Sequence, residues 1–223
     1  MKDWLGEIDG GMIALHDAAV QDYLGEVPAR VLSENVLLKD YHGYTPLDYA
    51  ACHGHLDQFP AELLLENMLV SNSKGGTPLQ IAAEFGYLNQ VPKELLTVET
   101  VLTADAAGKT ILHQAAHFGH LVQIPKEVLV GGGLLVHQTF GWTPLHYAAR
   151  YGSLDQVPVE VLTVTNLLIA DDRGETPLYF AANFGTLNKV PLGLEFPETV
   201  REVVGEDWWE RNQRVIRDKA GVD

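Results

Sequence analysis

The chain has 223 residues, of which 46% are hydrophobic and 20% charged, a balance typical of folded proteins rather than disordered ones. Thirty acidic residues against 15 lysines and arginines give a net charge of −15, which argues against direct binding to nucleic-acid phosphates. Cys52, the single cysteine, cannot form an intrachain disulfide, and no apolar stretch approaches the roughly 20 residues of a membrane helix. Because no charged and apolar leader opens the sequence, we expect a cytoplasmic protein without a membrane partner.

A four-residue motif recurs along the chain: Thr-Pro-Leu followed by a variable residue, with Ile in place of Pro in the copy at 110–113. Each copy predicts the start of a helix. At a helix start, a threonine hydroxyl can accept a hydrogen bond from a backbone N–H that has no partner within the helix. A proline at the next position suits the first turn because it has no N–H to satisfy and its φ is already helical. The Thr-to-Thr spacings are 32, 33, 33 and 33 residues, and the copies begin at Thr45, Thr77, Thr110, Thr143 and Thr176. A degenerate copy at residues 13–16 precedes them, which makes six repeats.

Each of these helices is predicted to bury a leucine and an Ala-Ala pair on one face, as Leu47, Ala50 and Ala51 do in the first full copy. A glycine then ends each helix, because glycine adopts the left-handed conformation of a helix end without strain. These glycines are Gly54, Gly86, Gly119, Gly152 and Gly185. Asp-x-x-Gly turn signals precede several of the threonines, for example at residues 40–43 and 171–174.

The second half of each repeat contains a proline, and we expect a second, shorter helix to begin there. A proline inside a helix would cost roughly 3 kcal/mol, so it favours the helix start. These prolines are Pro28, Pro60, Pro92, Pro125, Pro158 and Pro191. Ser33, Thr97 and Thr163 follow as candidate caps, so each repeat is expected to have either a short, kinked second helix or two helical turns. The glycines at 131–133 predict a flexible surface turn.

These residues resemble the ankyrin repeat family, whose pattern is a β-turn followed by T-P-L-H-x-A-A-x-x-G-H with a period of 33. The resemblance covers roughly residues 11–194 and implies an all-α, ankyrin-type helical repeat solenoid with β-turn loops. We expect an N-terminal cap at residues 1–12, six repeats at 13–196 with the first and last degenerate, and a C-terminal capping helix at 197–223. That helix has two possible roles, capping the solenoid and recognising a partner; the second is suggested by Trp208, Trp209 and its arginines.

Histidines and Cys52 raise the question of a metal or catalytic site, and the repeat pattern argues against both. His113 and His120 occupy positions that have structural roles in ankyrin repeats, so only His117 is at a freely variable position. Cys52 lies beside His53 but lacks a third orienting group and an oxyanion site in the pattern. We therefore expect no metal, no cofactor and no enzymatic activity.

The resemblance implies a non-catalytic protein-protein interaction module or scaffold. In the family, partners are contacted by the β-turn tips and by the two residues after Ala-Ala, which line the concave face. The corresponding partner-binding candidates here are Tyr41, His42, Tyr44, Phe85, Phe118, Phe140, Trp142, Arg150, Tyr151, Arg173 and Phe184. Phe140 and Trp142, flanked by Arg150 and Tyr151, are the predicted hot spot, because aromatic and arginine side chains dominate interface energetics.

Two alternatives stay open at this point. Phe85, Phe118, Tyr151 and Phe184 recur in register, so they predict either a structural aromatic ladder or a binding stripe. The acidic charge also allows a second function, an acidic decoy or inhibitor of a basic or nucleic-acid-binding protein. In either case we expect a monomer with a protein partner.

Overall fold

A computed structural model describes residues 3–6, 12–105, 107–186, 189–190, 205–206 and 210. Regular secondary structure in this part of the chain is helical, as predicted for an all-α repeat solenoid. The chain divides into two compact units, unit 1 (Met1–Ala106) and unit 2 (Ala107–Asp223). Of the helices in the described ranges, none is long and apolar enough to cross a membrane.

Each unit is built from the helices of successive repeats. In unit 1 they are α1 (Ala14–Val20), α2 (Ala29–Asn35), α3 (Pro46–His53), α4 (Ala61–Asn67), α5 (Pro78–Phe85) and α6 (Val98–Val101). In unit 2 they are α7 (Ile111–Phe118), α8 (Lys126–Val130), α9 (Pro144–Tyr151), α10 (Val164–Leu167) and α11 (Pro177–Asn183). Helix α3 packs between α1 and α5, and α9 packs between α7 and α11, so the first helices of neighbouring repeats stack on one another.

The helices that follow the five threonines bury their residues as predicted, and the hydroxyls of Thr45, Thr77 and Thr176 cap them as predicted. The hydroxyls of Thr110 and Thr143 instead hydrogen-bond to Nδ1 of His113 and His146. The Thr45 hydroxyl accepts a hydrogen bond from the backbone N–H of Asp48 at 3.1 Å, and Pro46 is the first residue of α3. Leu47, Ala50 and Ala51 are fully buried. Because alanine has the smallest side chain with a Cβ, each Ala-Ala pair lets the neighbouring helix approach closely.

Left-handed glycines end four of these helices, as expected. Gly54, Gly86, Gly119 and Gly152 have φ values of 79° to 83° and are the C-caps of α3, α5, α7 and α9. Helix α11 ends earlier than predicted, at Asn183, with Phe184 as its C-cap. Gly185 still has a positive φ of 71°, so the left-handed residue follows the cap instead of forming it.

Helices follow three of the second-half prolines, but they begin one residue later than predicted. Pro28, Pro60 and Pro125 are N-caps with extended ψ values of 134° to 139°, and α2, α4 and α8 begin at the next residue. The Pro60 carbonyl accepts hydrogen bonds from the N–H groups of Leu63 and Leu64. The expected first-position role is therefore corrected to an N-cap role. Pro191 lies outside the described residues.

Both predicted forms of the second half-repeat occur. After Pro92 the chain forms a short 3₁₀ turn and then α6, whose first N–H groups are capped by Thr97. Thr163 caps α10 in the same way, with its hydroxyl 3.2 Å from the Asn166 nitrogen. Ser33, in contrast, lies inside α2 and donates to the Arg30 carbonyl, because α2 runs unbroken from Ala29 to Asn35 and needs no second start.

The glycines at 131–133 connect α8 to a short 3₁₀ turn. Gly132 has a φ of 87°, which explains the need for glycine at this position. Gly133 and Leu134 are buried, so the turn is anchored in unit 2 and only its first two glycines are exposed.

The ends of the chain are described only in part. Trp4 is buried, its carbonyl accepts a hydrogen bond from Leu15 N–H at 3.1 Å, and its ring lies 6.2 Å from that of Tyr23. Leu5 is half-exposed, and Ile8, named with it for the N-terminal cap, lies outside the described residues. The predicted capping helix, including Trp208 and Trp209, lies outside them too, apart from residues 205, 206 and 210. Both caps stay predictions.

Two equivalent turn glycines of unit 2 offer a direct test of the stacked turns. Gly141 and Gly174 both have left-handed backbones, at φ 77° and 80°. A Cβ at Gly141 would lie 2.8 Å from the Asp172 nitrogen, whereas one at Gly174 would meet no atom of the described residues within 4 Å. We expect Gly174→Ala to cost about 1 kcal/mol of unfolding free energy from backbone strain, and Gly141→Ala about 1 kcal/mol more from the clash. Urea unfolding of both variants measures the difference, and equal losses would contradict the described turn packing.

Candidate functional site

Polar side chains close three of the turn tips, those that begin at Asp40, Asn72 and Asp171. Asp171 accepts hydrogen bonds from the N–H groups of Arg173 and Glu175 at 2.8 and 2.9 Å, and Asp40 does the same in unit 1. Neighbouring turns of unit 2 are also joined through the backbone, with Asp172 N–H donating to the Phe140 carbonyl at 3.4 Å. Side chains at these tips are therefore displayed from a fixed backbone.

In unit 1 the predicted contact residues are exposed but dispersed. Tyr41 is 75% exposed, His42 is exposed and Phe85 is half-exposed. Tyr44 is half-buried, with the Lys74 ammonium 4.8 Å from its ring centroid and the ring of Tyr49 at 6.0 Å.

Tyr49 has a structural role in unit 1. Its hydroxyl donates to Asp40 at 2.8 Å, and burial together with this hydrogen bond raises the pKa of Tyr49 to about 12. Tyr49 thereby ties α3 to the turn that precedes it.

Unit 2 brings its predicted residues together around one cation. The guanidinium carbon of Arg150 lies 4.4 Å from the ring centroid of Phe184, 5.4 Å from that of Trp142 and 5.6 Å from that of Tyr151. Phe180 is the fourth ring within reach, at 5.9 Å. Cation–π contacts of this kind are attractive within about 6 Å and order the arginine side chain.

The three in-register aromatic residues of unit 2 do not stack directly on one another; among the described residues, polar side chains separate their rings. The His117 ring is 4.3 Å from that of Phe118 and 4.2 Å from that of Tyr151. Arg150 in turn contacts both Tyr151 and Phe184. We call this set of contacting side chains the alternating stack, and its members in order of contact are Phe118, His117, Tyr151, Arg150 and Phe184. The three aromatic rings are 41% to 48% exposed, so the alternating stack is both ordered and accessible.

Trp142 packs at the edge of the alternating stack. Its ring lies 4.7 Å from that of Phe180 and 5.1 Å from that of Tyr147. Phe140, which was predicted to act with Trp142, is instead 69% exposed on the tip of the turn. Arg173 is exposed on the next turn. Two of the predicted contacts thus belong to the turn tips and the others to the helix surface.

Sequence reasoning missed Tyr147 and the buried Phe180, whose rings pack against the residues of this surface. Each lies four positions after the helix-starting threonine and one helical turn before the two residues that follow Ala-Ala. An i, i+3, i+4 search from Arg150 and Tyr151 would have found Tyr147 on the same face. His117 lies at one of the two positions after Ala-Ala, where the resemblance places contact residues.

The electrostatics of the alternating stack keep His117 neutral. Burial lowers its pKa below the ordinary 6.5, and the nearby charges of Lys109 and Arg150 lower it further. The fixed positive charge of this surface at neutral pH therefore comes from Lys109 and Arg150.

His113 and His146 position the turns that carry the aromatic side chains. The Thr143 N–H donates to Nδ1 of His146 at 3.0 Å, so the proton of the neutral ring is on Nε2, which donates to the Glu175 carbonyl at 3.2 Å. His113 makes the corresponding bond to the Trp142 carbonyl at 3.0 Å. Both histidines are fully buried and use both ring nitrogens in these bonds.

The Cys52 neighbourhood shows no activated thiol. Burial, with a smaller effect from Glu84, raises the pKa of Cys52, so the group is a neutral thiol at pH 7. Nδ1 of His53 is 2.9 Å from the Tyr49 carbonyl, and Nδ1 of His55 is 2.8 Å from the Ala19 carbonyl. A thiol nucleophile needs the opposite pKa shift.

Comparison with known families gives two matches. The model of the ankyrin repeat matches residues 42–72. A second model, which describes three copies of the ankyrin repeat, matches residues 122–192 and so includes α9, α11 and the turns that precede them. A search of curated proteins finds no match.

Proposed function

The chain belongs to the ankyrin repeat family, and from this premise we propose that it is a non-catalytic module that binds a partner protein through its concave face and β-turn tips. Ankyrin repeats generally mediate protein-protein interaction, and proteins built from them are typically non-catalytic. We further propose a monomer in the cytoplasm that does not bind nucleic acid directly.

The observation that carries this proposal is the alternating stack together with Trp142. Protein interfaces are enriched in aromatic and arginine side chains, and these residues supply most of the binding energy. Arg150 and its neighbouring rings restrain one another through contacts of 4.4 to 5.9 Å. A surface that is already ordered loses less side-chain entropy when a partner binds, which favours affinity.

Phe140 adds an exposed anchor close to this surface in sequence and in the fold. It is held on a turn whose backbone bonds to the next turn, so its large exposed area is presented from a fixed position. We propose that Phe140 inserts into the partner while the alternating stack forms the broader contact.

The net charge of −15 favours a second candidate function, an acidic decoy that binds a basic or nucleic-acid-binding protein. Long-range attraction between opposite charges accelerates association and is screened by salt. The two functions therefore differ in how association depends on ionic strength.

Partner capture followed by association kinetics tests the two functions. Affinity capture from the native cell extract supplies the partner, with a Phe140/Trp142 double variant as the control bait. If binding uses the aromatic surface, we expect the association rate constant to change less than about tenfold between 50 and 500 mM salt, compared with electrostatically steered association. A much steeper dependence, with binding retained by the double variant, would contradict the aromatic surface and support the decoy.

A further inference from the structure

Among the described cations of unit 2, Arg150 is unusual because it is partly buried and pairs with no described carboxylate. Lys126 pairs with Glu160 at 2.6 Å and Lys189 with Asp155 at 2.7 Å, both on exposed parts of the unit. Across the described part of the chain, Arg150 makes cation–π contacts but no ion pair. A guanidinium carries five N–H donors that aromatic faces do not satisfy in the way an acceptor oxygen does.

We propose that Arg150 is the receptor for an Asp or Glu side chain on an apolar segment of the partner protein. This inference rests on the proposed protein-binding function and specifies which chemistry the alternating stack recognises. A guanidinium binds a carboxylate through two parallel hydrogen bonds, and this geometry gives specificity as well as energy. Rings packed against the guanidinium hold it in place and exclude water, which strengthens its bond to an incoming carboxylate.

The local charge favours an acid as the occupant. Although the chain as a whole is acidic, Lys109 and Arg150 both lie close enough to His117 to lower its pKa, so two cations share this part of the surface. Burial keeps His117 uncharged, so it does not compete for the carboxylate. A basic segment would bring like charge against Arg150, at a cost that opposes binding.

The rings beside Arg150 specify the residues next to the acid. Tyr151 and Phe184 are about half-exposed, and their ring centroids lie 5.6 and 4.4 Å from the guanidinium carbon. Apolar or aromatic side chains that flank the acid would cover these rings and remove apolar surface from water. One guanidinium carries one positive charge, which a single carboxylate flanked by apolar residues matches. A phosphate carries close to two negative charges at pH 7 and therefore suits this site less well.

Selection from a random peptide library displayed on phage tests the proposal with a defined probe. The full chain and its Arg150→Gln variant serve as parallel baits, and the affinities of the enriched peptides are measured by calorimetry. We expect the wild-type chain to enrich peptides with Asp or Glu at one fixed position between apolar residues. Affinity should fall at least tenfold when that acid becomes its amide and at least tenfold with Arg150→Gln, with little further loss when both changes are combined.

Arg30→Gln is the matched control, since Arg30 is an exposed arginine of unit 1 that lies outside the proposed contact residues. It should leave peptide affinity unchanged, and urea unfolding of Arg150→Gln should show a cooperative transition. Peptides that bind without an acid, or equally well to Arg150→Gln, would overturn the proposal and leave the protein-binding function standing. A tighter complex with phosphoserine in place of the acid would overturn the carboxylate assignment, and the absence of any enriched peptide would count against both proposals.

Discussion

Lowering the pH from 7 to 4 is expected to remove about 3 kcal/mol of stability through His146 alone. Burial lowers the pKa of this histidine to about 4 in the folded chain, whereas its ordinary value is 6.5. Each unit of difference corresponds to about 1.4 kcal/mol, and the unfolded chain takes up the proton first as the pH falls. The full stability is therefore present above pH 6.5 and is lost progressively as the pH falls from 6.5 towards 4.

The chain itself suggests the control for this prediction. In the second full repeat Gln80 occupies the position of His146, and its Oε1 accepts the Thr77 N–H at 3.0 Å. His146→Gln should therefore retain the cap of α9 while removing the titrating group. Urea unfolding at several pH values should show the wild type losing about 3 kcal/mol of stability relative to His146→Gln as the pH falls from 7 to 4. A constant stability difference between them across this range would contradict the assigned role of His146.

The start and end of each first helix could be predicted because their causes are local. Thr45 caps its own helix, Pro46 has a fixed φ, and Gly54 tolerates a left-handed backbone, so each residue acts within one turn of its position. The fully buried Leu47 and Ala50 follow from helical periodicity. These features are repeated with the 33-residue period, which makes each prediction a test of the others.

The second half of each repeat was less predictable because proline has two roles at a helix start. Pro46 is the first helical residue of α3, whereas Pro60 is the N-cap of α4 with an extended ψ of 139°. Proline fixes φ but not ψ, and ψ here depends on the 3₁₀ turn that leads into the proline. Whether the helix then continues or breaks into two turns, as it does after Pro92, depends on packing in the repeat.

The candidate site was predicted in its residue types but not in its arrangement. Arg150 and Tyr151 were identified because they follow an Ala-Ala pair. That Arg150 contacts Tyr151 and Phe184, and that His117 contacts Phe118 and Tyr151, depends on side-chain conformations that no sequence periodicity specifies. The in-register aromatic residues were expected to form either a structural ladder or a binding stripe. In the described part of unit 2, their rings do not form a continuous ladder of direct ring-to-ring contacts. A binding role for these residues remains a prediction.

Trp142→Ala is expected to weaken partner binding by at least about 2 kcal/mol, or roughly 30-fold in the dissociation constant. Trp142 supplies an aromatic surface beside Arg150 and also helps to hold that arginine at 5.4 Å, so the truncation removes a contact and loosens its neighbour. Because Trp142 packs on Tyr147 and Phe180, the variant should lose some stability but still unfold in one cooperative transition.

Phe140→Ala separates binding from folding, since Phe140 is largely exposed and its truncation should leave the unfolding midpoint unchanged. The most direct test of a partner-binding surface on unit 2 is therefore the dissociation constant of the captured partner for the wild type, Phe140→Ala and Trp142→Ala, measured by calorimetry at one salt concentration. The proposed surface predicts weaker binding for both variants, with the larger loss for Trp142→Ala. Unchanged affinity of both variants for that partner would contradict it.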